Sequence, residues 1–268
     1  MSEGKSQLGH VINGVDLNNL TNQEFENIQQ ALWTHGVICI KNQNLTAQQQ
    51  IAFTERWGKL VILPSFYAFD NRDPEYPAIV RVGNVRLDDT VKPNSKDAEY
   101  WHKDGDFRQP GENFILSILT PKEIAQVGGQ TGYVDSEQIL NDMPVDLREK
   151  LEGAKTIIRS QNIGDFSSAK PEEHYPESHH PAIATHPISG KKILNITYNN
   201  LNDIVLKDGT ILNSRDIITE IEKAYKIYSH KWEMGDVVIW DNIRVIHRSM
   251  GGFGNSRRLL FRTQSQIL

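Results

Sequence analysis

The sequence is short of several things, and each shortage closes a class of protein. Among 268 residues there is one cysteine, Cys39, so no internal disulfide can form and a disulfide-stapled scaffold is excluded. A lone thiol suits a reducing compartment. The opening residues MSEGKSQLGH also lack the basic and apolar regions of a secretory signal, so a cytoplasmic protein is expected. No apolar run approaches the roughly 18 residues that a membrane-spanning helix needs. Positive charge is not in excess. Lys and Arg number 29 against 34 Asp and Glu, giving a net charge of −5 and a pI near 6.0, which argues against DNA or another polyanion as partner. With 19 glycines and 11 prolines, collagen-like and low-complexity chains are also out. There is no internal repeat and no linker-like tract. What remains is a 30.5 kDa globular chain, long enough to bury a sizeable core as one domain over residues 1–268.

The N-terminal third carries helical signals. Thr21 followed by Glu24 reads as a capping box, and Phe25, Ile28 and Leu32 fall on one face, predicting a helix over 22–35 that stops at Gly36. VICI (37–40) follows as a buried strand. Thr46 and Gln49 repeat the capping-box spacing and open a second helix running to about Trp57. Beyond residue 60 the chain turns into short strand-like runs: AIVRV (78–82), NFILSIL (113–119), TGYVD (131–135), KILNITY (192–198), DVVIW (236–240), RVIHRS (244–249) and RLLFRT (258–263). One amphipathic stretch, 214–229, interrupts them. The segment 161–187 holds four prolines among polar residues and reads as a lid or binding loop. The expected class is α+β, mainly β: a two-sheet jelly-roll barrel with helices packed on one sheet.

Five constellations could carry chemistry. In Trp101-His102-Lys103-Asp104, strand alternation would place His102 and Asp104 on one face and Lys103 on the other. An imidazole and a carboxylate so placed can take two adjacent positions on a metal, and a second histidine would complete a 2-His-1-carboxylate triad with open positions. A surface His and Asp fit the same tripeptide. His247, late in an apolar strand, reads by itself more readily as a satisfied core histidine than as that third ligand. In RRLLFRT (257–263), period two puts Arg258, Leu260 and Arg262 on one face and Arg257, Leu259 and Phe261 on the other. Pattern alone favours the second face as core and the arginines as solvated. Were the arginine face to line a barrel, each guanidinium would need an anion. GGQTGYVD (128–135) offers a tight turn and the Thr131 hydroxyl. His174, His179, His180 and His186 lack the cysteines and spacing of a structural zinc site, so a solvated loop is expected.

Taken in order, GVDLNNL (14–20), HGVICIKNQNLT (35–46), WGKL (57–60), WHKD, GGQT, HPISGKKIL (186–194), GDVVIWDN (235–242), His247 and RRLLFR resemble the TauD/TfdA family of iron(II)- and 2-oxoglutarate-dependent dioxygenases over nearly the whole chain. The resemblance implies a double-stranded β-helix. It implies His102, Asp104 and His247 as iron ligands, and Arg258 with Thr131 on the distal carboxylate of 2-oxoglutarate, with dioxygen as second cosubstrate. The reaction would release succinate and carbon dioxide and oxidise a substrate C–H. The carboxylate of Asp104 points away from halogenation, since halogenating relatives lack it. Arg262 would hold a carboxylate, sulfonate or sulfate on a small substrate, with Tyr198 and Phe166 as aromatic contacts. Ala98 and the segment PSFYAFD (64–70) depart from taurine-specific members, which carry an asparagine and a histidine there. The expected partner is therefore a small anionic organic molecule, with no nucleic acid and no membrane, and with self-association into a homo-oligomer left open. The same chemistry ending in desaturation or an isonitrile on an amino-acid-derived intermediate stands as the alternative. A non-catalytic metal-binding protein or a zinc hydrolase would be the reading of another class.

Overall fold

The computed structural model describes residues 8–63, 71–93, 95–96, 98–112, 116–160, 175–198 and 203–266. The first part of the chain forms β1 (His10–Ile12), α1 (Asn22–His35), β2 (Val37–Ile40), α2 (Ala47–Glu55), β3 (Lys59–Leu60) and β4 (Val80–Gly83). The middle forms β5 (Leu116–Glu123), β6 (Thr131–Asp135), α3 (Ser136–Asp142), α4 (Val145–Leu151), β7 (Lys155–Ile158), β8 (Ser178–Pro181), β9 (Ile183–Thr185) and β10 (Lys192–Leu194). The last part forms β11 (Asp203–Val205), β12 (Ile211–Asn213), α5 (Ser214–Glu222), β13 (Tyr228–His230), β14 (Val237–Asp241), β15 (Val245–Ser249) and β16 (Leu259–Gln266). The protein is mainly β, with few helices.

Both expected capping boxes form. Thr21 and Glu24 satisfy each other's backbone N–H, as do Thr46 and Gln49, each box being worth about 1 kcal/mol to its helix. Gly36 ends α1 at φ +68°, a left-handed turn that a side chain would strain.

Alternation along the strands builds the layers. The large sheet runs β1-β2-β14-β5-β16-β3, with β4 also on β16. Ile38, Ile40, Ile118, Val237 and Ile239 face outward and pack on Phe25, Ile28 and Leu32 of α1 and Phe53 of α2. Their neighbours Val37, Cys39, Leu119, Val238 and Trp240 face inward, against Tyr133 and Val245 of the smaller β13-β6-β15 sheet. That sheet's other face, through Val134 and Ile246, packs on Ile139, Leu147 and Ile218 of the remaining helices. Each buried Ile or Leu contributes roughly 1.5–3 kcal/mol. The site lies in the inner layer, where apolar filling gives way to polar side chains.

Several expectations need correction. Helices α3 and α4 lie where no helix is expected from the sequence. Strand β10 ends at Leu194 instead of running on to Tyr198, and α5 stops at Glu222, with Tyr228 going to β13. The loop expected over 161–187 is structured in its described part as β8 and β9, and His180 and His186 are buried, not solvated. His186 holds Asp241 at 2.9 Å and accepts the backbone N–H groups of Ile188 and Ser189 on Nδ1. His179 is exposed against Glu177, as expected. His174, Phe166, most of the proposed lid and the PSFYAFD segment lie outside the described residues.

Candidate active site

Two backbone segments bring the first constellation together. His102 and His247 form an antiparallel bridge, each amide donating to the other's carbonyl at 3.0 and 2.9 Å. This pairing brings their rings to a centroid distance of 4.3 Å, with the planes tilted by 47°. Beyond His102 the chain turns, so Asp104 reaches the rings from a turn and not from strand alternation. One oxygen of Asp104 lies 3.9 Å from His102 Nε2 and the other 3.8 Å from His247 Nε2. All three ligand-type atoms fall within 4.8 Å of one another, and all three residues are buried.

The state of these groups suits a metal. His102 Nδ1 sits 2.8 Å from the Tyr100 carbonyl, which fixes the proton on Nδ1 and leaves the Nε2 lone pair facing Asp104. Burial, then the neighbouring His102, push the His247 imidazole down to about 3, so it is neutral. Burial alone would raise the Asp104 carboxyl, yet Arg262, His247 and His102 beside it hold it below its ordinary range. Ser117 Oγ and Gln264 Nε2 each donate to Asp104 Oδ2 at 2.9 Å, and Arg262 Nη1 donates to Oδ1 at 2.7 Å. Asn242 clamps the Asp104 backbone from both sides, accepting its N–H at 3.0 Å and donating to its carbonyl at 2.8 Å. Two imidazoles with Nε2 turned toward one oriented carboxylate are the donor set of a facial-triad iron site.

Lys103, expected to point away from its neighbours, does so but stays buried. Its ammonium donates to the Ile243 and Leu194 carbonyls at 2.5 and 3.2 Å, and burial pushes its pKa down to about 8. It pins the ligand segment to the turn between β14 and β15.

A cavity of about 150 Å³ opens over the three groups and is also lined by Thr131, Arg258 and Arg262. This reverses the solvated-arginine pattern: Arg258 is 3% exposed, while Phe261 on the opposite face is half-buried. Arg258 donates through Nε to the Gly129 carbonyl at 2.9 Å and through Nη2 to Thr131 Oγ1 at 3.4 Å. None of the described carboxylates pairs with it, and burial pushes it down to about 10. A guanidinium so placed calls for an anion from outside the chain. Val80, Leu119 and Phe107 give the same cavity an apolar wall. Tyr198 is absent from that lining. Its side chain packs on the outer cluster beside α5, where burial and Glu222 raise its phenol.

Ser117, Gln264, Asn242 and Tyr100 had no signal in the reading above. Each supports a candidate ligand from a separate stretch of chain, and only the preference of ligating carboxylates and imidazoles for outer partners could have prompted a search for them. A second buried group of metal-competent donors, Cys39, His230 and Asp236, also lies within 4.8 Å and was not foreseen.

Comparison with known proteins agrees with this geometry. The 2,4-dichlorophenoxyacetate dioxygenase of Cupriavidus pinatubonensis, α-ketoglutarate-dependent, is 27% identical, with 91% of this chain and 88% of that protein aligned. The α-ketoglutarate-dependent sulfate ester dioxygenase of Pseudomonas putida is also 27% identical, over 96% of this chain and 85% of its own length. The crystal structure of AAD-2 in complex with Mn(II) and N-oxalylglycine superposes with a TM-score of 0.77 at 20% identity, covering 97% of this chain and 95% of the other. The model of the taurine catabolism dioxygenase TauD, TfdA family matches residues 3–264, and the chain therefore belongs to this family of α-ketoglutarate-dependent dioxygenases.

Proposed function

We propose that the chain oxidises a C–H bond of a small anionic substrate, using Fe(II), 2-oxoglutarate and O2 and releasing succinate and CO2. The observation that carries this is one cavity holding the His102, Asp104 and His247 donors together with a buried Arg258 that none of the described carboxylates pairs with. The 268 residues act as one dioxygenase unit on a double-stranded β-helix, which the facing β14 and β15 layers support. Work in a reducing cytoplasm suits the unpaired, buried thiol of Cys39.

His102, Asp104 and His247 would hold the iron, which when bound supplies the redox chemistry of O2 and of 2-oxoglutarate decarboxylation. The protein's part is placement and charge. Arg258 and the Thr131 hydroxyl receive the distal carboxylate of 2-oxoglutarate, where a bidentate fork in a dry site binds far more strongly than in water. Trp232 Nε1 donates to Thr131 Oγ1 at 3.1 Å, which leaves the hydroxyl its own proton to donate. Ser117 and Gln264 keep the Asp104 carboxylate ionised and turned inward. The wall of Val80, Leu119 and Phe107 excludes water around the reacting carbon. Arg262, which meets both Asp104 and the cavity, binds the anionic head of the substrate. The names of the relatives, which act on an aryloxyacetate and on sulfate esters, support an organic carboxylate or sulfate of this kind.

The test is a succinate-release screen of the Fe(II)-loaded protein against aryloxy acids, alkyl sulfates, sulfonates and amino acids. At least one anionic class should raise turnover above the substrate-free rate, and in Arg262→Ala that stimulation should be lost beyond whatever change the loss of the Asp104 contact makes to the substrate-free rate. Stimulation by neutral analogues, or survival of it in Arg262→Ala, would refute the anionic-head assignment.

A further inference from the structure

A continuous file of buried rings leads from the metal pocket to a hydrogen-bonded tyrosine on the far side of the inner layer. The His247 ring lies 4.7 Å from Trp240 between centroids, Trp240 lies 5.7 Å from Tyr133, and Tyr133 stacks on Tyr228 at 6.0 Å with planes 26° apart. Trp240 and Tyr133 are fully buried, and Tyr228 is half-buried. The file ends in a proton-accepting group. Tyr228 Oη lies 3.0 Å from His230 Nδ1, and His230 Nε2 lies 2.9 Å from Asp236 Oδ2, whose other oxygen meets Lys41 Nζ at 2.8 Å. Asp236 is an acceptor only, so the His230 proton sits on Nε2 and Nδ1 is free to accept from Tyr228.

The two tyrosines differ in what their hydroxyls can do. No described imidazole or carboxylate accepts from the Tyr133 hydroxyl, which is buried and keeps its proton. The Tyr228 hydroxyl has a base within proton-transfer distance, backed by a carboxylate that stabilises the imidazolium formed. A phenol loses an electron readily only when its proton can leave with it. Tyr133 therefore serves only as a bridge between Trp240 and Tyr228, and Tyr228 is the terminus.

We propose that Tyr228, His230 and Asp236 form a redox-active tyrosine site that discharges oxidant generated in the metal pocket when no substrate is in place. The inference rests on the dioxygenase reading above, which supplies that oxidant. In one event Tyr228 gives one electron through Tyr133 and Trp240 to the oxidant, which is reduced by one electron. The Oη proton passes to His230 Nδ1, leaving a neutral phenoxyl and an imidazolium paired with Asp236. A soluble hydrogen-atom donor of the ascorbate class restores the phenol, and the imidazolium releases its proton to solvent. A two-electron oxidant needs two such events. The cavity wall and the candidate ligands are thereby spared oxidation.

The test combines freeze-quench electron paramagnetic resonance with mapping of oxidised residues by mass spectrometry. The Fe(II)-loaded enzyme is mixed with 2-oxoglutarate and O2 without substrate, in the parent, Tyr228→Phe and His230→Gln, each checked for an unchanged melting temperature. The parent should show a phenoxyl signal that Tyr228→Phe loses and that His230→Gln weakens. Tyr228→Phe should also inactivate in fewer turnovers, with oxidation accumulating at Trp240, and ascorbate should extend the lifetime of the parent only. A second arm oxidises metal-free protein with flash-generated tris(bipyridine)ruthenium(III) and expects the same loss of signal in Tyr228→Phe. A phenoxyl signal that persists in Tyr228→Phe in either arm overturns the proposal. A parent that consumes no 2-oxoglutarate refutes the dioxygenase reading instead, and the metal-free arm then decides the tyrosine site alone.

Discussion

Among the described residues, two buried clusters bring metal-competent donors equally close together, and they differ in what a metal ion would find there. His102, Asp104 and His247 converge within 4.8 Å, and so do Cys39, His230 and Asp236. Each carboxylate has a cationic partner, Arg262 on Asp104 and Lys41 on Asp236. The difference lies in the lone pairs. Both imidazoles of the first cluster keep Nε2 free, 3.8–3.9 Å from the carboxylate, with an open cavity above. In the second, both nitrogens of His230 are taken, by Tyr228 and by Asp236. Burial, then Asp236, push the Cys39 thiol up to about 12, far from the thiolate a metal needs. Proximity of donors is therefore a weak criterion; available lone pairs and access decide.

The sharpest way to break this contrast is to remove one donor from each cluster. His102→Ala or His247→Ala should reduce 2-oxoglutarate turnover to background, whereas Cys39→Ser should leave both turnover and iron content unchanged. Loss of iron in Cys39→Ser would make the second cluster the metal site.

The next effect concerns stability. Asp236→Asn removes the partner of His230 and Lys41 and should cost about 3 kcal/mol, measured by urea unfolding, with iron affinity unaltered. Burial alone would raise the Asp236 carboxyl, but hydrogen bonds from His230, Lys41 and the Glu233 N–H prevail and hold it at about 2. A folded pKa below the unfolded value stabilises above about pH 4 and loses that contribution as pH falls through about 2. This amounts to about 2 kcal/mol. The acid unfolding curve of Asp236→Asn should be flatter over that window, and identical slopes would contradict the assignment.

Smaller effects sharpen the first cluster. Arg258→Met should raise the 2-oxoglutarate KM by about 30-fold, or about 2 kcal/mol, with iron binding intact. Equal loss of both would signal a folding defect. Gln264→Leu, which removes one donor to Asp104, should weaken iron binding by about tenfold. An unchanged dissociation constant in equilibrium dialysis would show that Ser117 alone suffices to orient the carboxylate.

Local signals carried the parts of the fold that are locally determined. The capping boxes at Thr21 and Thr46 and the VICI strand were legible because a few neighbouring residues decide each one. The arginines at 258 and 262 defeated the pattern argument for a physical reason. Both faces of the strand are covered here, with Arg258, Leu259 and Leu260 all buried, so alternation does not separate a solvated face from a core face. Only the family resemblance put those arginines at the site. The same resemblance placed Tyr198 at the substrate, yet its side chain lies on the far side of the β15 sheet with the outer cluster. Asp104 shows a milder failure: alternation gave the right partners through the wrong geometry, since it sits on a turn. The second cluster was illegible because Cys39 hides in an apolar strand and meets His230 and Asp236 only through the register of β2, β14 and β13.

The most direct test of the central contrast is an anaerobic titration of metal-free protein with Fe(II) in the presence of 2-oxoglutarate, followed by visible absorption. One weak charge-transfer band saturating at one iron per chain, present in Cys39→Ser and absent in His247→Ala, is the predicted result. Saturation at two irons, or a band that survives His247→Ala, would contradict it.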